Sequence, residues 1–110
     1  MATYTATVAA SGTTSGWINI LTNVGNKGLT AIVTPSALTS TTLTIVPSMD
    51  GSTALTHYDY TGIAVTVPIG TNRWISLDPA LFAGFPWVRI VTGSSEAAAR
   101  DFTLFVTDIA

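Results

Sequence analysis

The stretch Asn72–Val91, NRWISLDPALFAGFPWVRIV, decides the fold. It reads as a strand, one helical turn and a second strand. Arg73, Ile75 and Leu77 fall on one side of an extended run, and Trp74 and Ser76 on the other, because side chains alternate along a strand. Asp78-Pro79 then opens a short turn. Asp suits the N-cap, where its carboxylate accepts from orphan backbone N–H groups. Pro suits the first helical position, where its missing N–H would have no partner anyway. Ala80-Leu81-Phe82-Ala83 is about one helical turn, and Gly84 is placed to end it in a left-handed conformation. Phe85-Pro86 leads into the second strand, Trp87-Val88-Arg89-Ile90-Val91.

Upstream, Thr3–Ala9 is rich in β-formers, and Trp17–Leu21 is a short second strand. Asn23–Gly28 carries turn chemistry. Leu29, Ala31 and Val33 share one face of a run that Pro35 ends. Thr41–Ser48 is a strong strand with Leu43 and Ile45 on one face, followed by an Asp50-Gly51-Ser52 turn. Ala54–Tyr60 and Ile63–Val67 read as two further strands separated by Gly62. Downstream, Glu96–Ala99 is a short turn or coil, and Phe102–Val106 is the last strand. Eight or nine short strands at spacings of about 8–12 residues predict an all-β chain, one antiparallel β-sandwich over residues 1–110 with a single helical turn near Pro79–Ala83. The Met1–Ala9 stretch has no local anchor and is a candidate arm that extends along a neighbour as an added strand.

The composition is short of charge. Charged residues are 9% of the 110, against roughly 25% in a typical soluble domain. Soluble monomers use charge to stay apart, so this surface is expected to be hidden in contacts, the alternative being a secreted-type β-domain with a neutral Thr/Ser surface. Only Lys27, Arg73, Arg89 and Arg100 are basic and the net charge is −2, which gives no patch for a phosphate backbone and excludes nucleic acid as a partner. No cysteine is present, so disulfides and thiolate metal sites are excluded. No basic, apolar leader precedes Thr3, and no apolar run approaches the roughly 20 residues of a membrane span.

Put Leu43, Ile45, Ile63, Val65, Val67, Ile75, Leu77, Val88, Ile90, Phe102, Leu104 and Val106 inside, and Val46, Trp74, Trp87, Val91 and Phe105 point the other way. Trp beside Arg is the composition of interface hot spots. Trp74, Trp87, Arg89, Val91 and Phe105 are therefore the candidate protein-interface residues. Burial on both faces of some strands, or a bulge that reverses the register, would instead place some of these side chains in a core.

Catalytic chemistry has few carriers. His57 is the one histidine, and no nucleophile elbow accompanies it. Of the six carboxylates, Asp50 belongs to a turn and Asp78 to a cap, which leaves no pair set across a cleft. Asp50-Gly51-Ser52 does not continue into a calcium loop. The expectation is a protein that is not an enzyme, with no catalytic residue, no metal, no cofactor and no small-molecule substrate.

Three segments carry a resemblance: LTIVPSMDGST (Leu43–Thr53), NRWISLDPALFAGFPWVRIVTGS (Asn72–Ser94) and EAAARDFTLFV (Glu96–Val106). Together they cover roughly half the chain and resemble small virion structural proteins of tailed bacteriophages, with jelly-roll-like sandwiches. The capsid decoration, or cement, type fits a chain of this size best. The resemblance implies a non-enzymatic role, stabilising a phage head by binding across capsid subunits. It implies the major capsid protein and further copies of this chain, as a homotrimer, for partners, and a place on the capsid exterior after assembly in the host cytoplasm. The competing reading is a carbohydrate- or receptor-binding module of a tail fibre or baseplate, in which Trp17, Tyr58, Tyr60, Trp74 and Trp87 would stack on sugar rings.

Overall fold

A computed structural model describes residues 2–20, 27–82 and 84–108. The strands are β1 (Ala2–Val8), β2 (Ile18–Asn19), β3 (Lys27–Val33), β4 (Thr42–Ser48), β5 (Val67–Pro68), β6 (Trp74–Ser76), β7 (Trp87–Thr92) and β8 (Arg100–Asp108), with one helical turn, α1 (Pro79–Phe82), between β6 and β7. All pairings are antiparallel: β1 with β8, β2 with β7, β3 with β6 and β4 with β5. The outermost strands of the sequence pair, then the next inward, down to the innermost. That is a long ribbon folded on itself. Pairings of β3 with β8 and of β4 with β7 join the four hairpins into two sheets, β1-β8-β3-β6 and β2-β7-β4-β5. The chain is a β-sandwich with the strand order of an eight-stranded jelly roll.

The decisive stretch forms strand, helical turn and strand in the predicted order, with Ala83 of the expected turn outside the described residues. The Asp78 carbonyl accepts from the Leu81 and Phe82 N–H groups at 3.0 and 3.3 Å, and Gly84 ends the turn with φ +82°. Phe82 is thereby dropped into the core, 3% exposed. Alternation in β8 buries Phe102, Leu104 and Val106. In β7 it buries Val88 and Ile90, and in β4 Leu43 and Ile45, against Ala6, Val8, Leu29 and Ile32.

Three expectations need correcting. Leu29 does not share a face with Ala31 and Val33, because the register of β3 on β8 shifts between Leu29 and Ala31. The bulge leaves Thr30 as the extra residue. Its carbonyl takes the Leu77 N–H at 2.9 Å, so Leu29 and Ile32 both face inward. Residues 54–66 do not form two regular strands: Tyr58 and Ala64 make one isolated bridge, and β5 is only Val67–Pro68. The cause is Asp59, whose Oδ1 accepts from the N–H groups of Thr61 and Ile63, at 2.9 and 3.0 Å, and from the Thr61 hydroxyl. A side chain that captures those donors replaces a sheet ladder with a local turn. Ile63, expected inside, is consequently 65% exposed, and Val65 and Ile75 are only half-buried at the margin of the core. The Asn23–Gly28 turn lies mostly outside the described residues; Lys27 and Gly28 already belong to β3.

One end of the sandwich is tied by Glu96, 1% exposed. Its carboxylate accepts from the Thr39 N–H (2.8 Å), the Ser40 N–H (2.9 Å), the Ser40 hydroxyl and Arg100 Nε (3.0 Å). Its own backbone exchanges hydrogen bonds with Ser11 and Gly12. The β1–β2, β3–β4 and β7–β8 connections therefore meet on one residue. The stretch Met1–Ala9, read as a possible arm, is laid along β8 of its own chain over Ala2–Val8, and β1 is an edge strand of its sheet.

Candidate functional site

A sandwich has two outer faces, and the five candidate residues divide between them. Trp74 on β6 and Phe105 on β8 belong to the sheet β1-β8-β3-β6, where β3 lies between their strands. Val33 pairs with Trp74, and Ala31 pairs with Phe105. The two rings meet diagonally across β3 with centroids 4.5 Å apart, over the small side chain of Ala31, which is 2% exposed. Trp74 stays 60% exposed. The same face carries Thr3, Thr5 and Thr7 on β1, Thr103 on β8, Val33 on β3 and Ser76 on β6, and its charge among these strand positions is Asp101, which accepts from the Thr7 hydroxyl at 2.7 Å.

Trp87, Arg89 and Val91 alternate outward along β7, on the sheet β2-β7-β4-β5. They stand opposite Ser48, Val46 and Thr44 of β4. Trp87 is half-buried because the turn after β4 folds over it. Asp50 Oδ1 accepts from the Ser52 and Thr53 N–H groups, at 2.9 and 2.8 Å, and from the Ser48 hydroxyl. These bonds hold the Asp50 carboxyl well below the usual carboxylate range, with the Thr53 amide contributing most. The same turn places Gly51, at φ +79°, so close that a Cβ would stand 2.8 Å from Trp87 Cδ2. The Arg89 guanidinium lies 4.5 Å over the Trp17 ring. Beside it, Thr44, Val46, Ala54, Leu55, Thr56, Arg89 and Val91 line a groove of about 250 Å³. Its outer wall is pinned by the Leu55 N–H on the Pro47 carbonyl at 3.0 Å.

A third apolar region was missed by reading strands into 54–67. The connection from β4 to β5 projects Met49, Leu55, Tyr58, Tyr60 and Ile63, exposed by 80, 45, 57, 99 and 65%. The signal was the Asp59-Tyr60-Thr61-Gly62 sequence, an Asx turn that presents what lies between its ends. His57 sits at the foot of this projection, 8% exposed, packed edge-on against Phe85 and Phe82 at 4.9 and 5.2 Å. Burial pushes its pKa down, against a backbone hydrogen bond with Leu81 and the charge of Asp59. Aromatic packing holds this histidine, and its Nδ1 is buried without a hydrogen-bond partner among the described residues. Among the described residues, no group of three or more His, Cys, Asp or Glu side chains is placed to hold a metal ion.

No protein-family model, curated protein or solved structure matches the chain.

Proposed function

We propose that the chain is a virion structural protein of the capsid decoration type, which reinforces a phage head by bridging neighbouring capsid subunits. The observation that carries the reading is a Thr-rich sheet face whose Asp101 is hydrogen-bonded to Thr7, with Trp74 60% exposed on the edge strand β6 and packed against half-buried Phe105. An aromatic anchor on a charge-poor, rigid face gains apolar burial with little ion desolvation, as a permanent contact requires. The resemblance of Leu43–Thr53, Asn72–Ser94 and Glu96–Val106 to phage virion proteins gives that face its partners, the major capsid protein and copies of the chain in a trimer. Many copies on one shell multiply a modest interface into a large gain in capsid stability. Co-sedimentation with bare phage capsids tests the reading. Wild type is expected to bind at fixed stoichiometry and raise the shell's melting temperature, and Trp74→Ala is expected to bind at least about tenfold more weakly, the loss typical of a hot spot. Failure of the wild-type chain to bind any such shell contradicts it.

The projecting Tyr58 and Tyr60, 57 and 99% exposed, favour a second reading, a carbohydrate- or receptor-binding module. Binding on a glycan array that Tyr60→Ala abolishes would select it.

A further inference from the structure

The groove on the β2-β7-β4-β5 face contains Arg89, a cation with no carboxylate in ion-pair range among the described residues. Arg89 Nε is buried without a hydrogen-bond partner. Its guanidinium stacks on the Trp17 ring, and the Arg100–Glu96 ion pair lies elsewhere. Stacking on Trp17 sets the plane of the guanidinium, whose terminal Nη groups carry donors suited to a planar acceptor. The walls beside it are the apolar residues Val46, Val91, Ala54 and Leu55, with Thr44 and Thr56. The groove, about 250 Å³, is large enough for one small molecule.

The geometry points to a binding site for a small organic carboxylate. Its two oxygens take the Nη edge of Arg89, and its apolar body lies on Val46 and Val91. Arg recognises a planar carboxylate by parallel charge-assisted hydrogen bonds, and a preset guanidinium loses little freedom in making them. A neutral sugar would leave the cation unmatched. The site lies on the opposite face from the Trp74–Phe105 pair and stands whether or not the chain decorates a capsid.

Benzoate and its neutral isostere benzamide, titrated at constant ionic strength into the isotopically labelled chain and followed by heteronuclear NMR, test it. Benzoate is expected to shift the Arg89 Nε–H signal and the amides of Val46, Leu55 and Val91 along one saturable curve. Benzamide is expected to bind at least about tenfold more weakly, one charge-assisted interaction's worth. Arg89→Gln should lose the same factor. Ala54→Trp, on the exposed wall, should block the groove and abolish the shifts without touching Arg89, and it serves if Arg89→Gln does not fold. Equal binding of benzoate and benzamide, shifts that map elsewhere, or full binding by Ala54→Trp would overturn the proposal.

Discussion

Glu96 shows how one buried charge can be cheap. Burial pushes its carboxyl pKa up, but hydrogen bonds from the Ser40 hydroxyl, the Thr39 amide, Arg100 and the Ser40 amide outweigh that and lower it from 4.5 to about 2. The carboxylate therefore contributes stability that is full above about pH 4.5 and is lost as pH falls towards 2. Glu96→Gln keeps the shape but weakens the acceptor, and is expected to cost about 2–4 kcal/mol in urea denaturation at neutral pH and to flatten the acid limb. His57 acts in a separate window. Its folded pKa lies below 6.5, so the unfolded chain takes up the proton first, and stability should begin to fall as pH drops through 6.5. In His57→Phe, which keeps an aromatic ring against Phe82 and Phe85, that early loss should vanish while the Glu96 limb remains. Gly51→Ala would press a Cβ into Trp87 at a positive φ. An expected loss of about 1–3 kcal/mol, with altered tryptophan emission, checks that Trp87 is held by the turn.

Elements were legible where a strand is long and one face is buried. Thr42–Ser48, Trp87–Thr92 and Arg100–Asp108 alternate cleanly, and each lies inside a sheet with a neighbour on both sides. The turn after β6 was legible too, because Asp78-Pro79 and Gly84 mark both of its ends. Two things were hidden. A bulge at Thr30 leaves no mark in an alternating Leu-Thr-Ala-Ile-Val run, since its cause is the Leu77 amide arriving from another strand. Alternation in 54–67 describes a projection rather than a strand, because Asp59 takes the donors that a ladder would need. Asp59→Ala should loosen this projection: faster amide exchange at Thr61 and Ile63, with global stability nearly unchanged since the residues it holds are exposed. Alternation also tells inside from outside but not which outside. The five candidate residues lie outside the buried core cluster, and only the sheet order shows that Trp74 and Phe105 share one face and Trp87, Arg89 and Val91 the other.

At the scale of the whole molecule, a sandwich with 9% charged residues presents two outer faces and a projecting tip that all carry apolar side chains. One closed set of symmetric contacts covers such a surface without leaving copies free to aggregate. The proposed role therefore rests first on self-association through the Trp74–Phe105 face. The solution mass of the purified chain by light scattering is the most direct test. A stable species of three times the 11.4 kDa chain mass, dissociated by Trp74→Ala, is the predicted result. A monodisperse monomer at high concentration would contradict it.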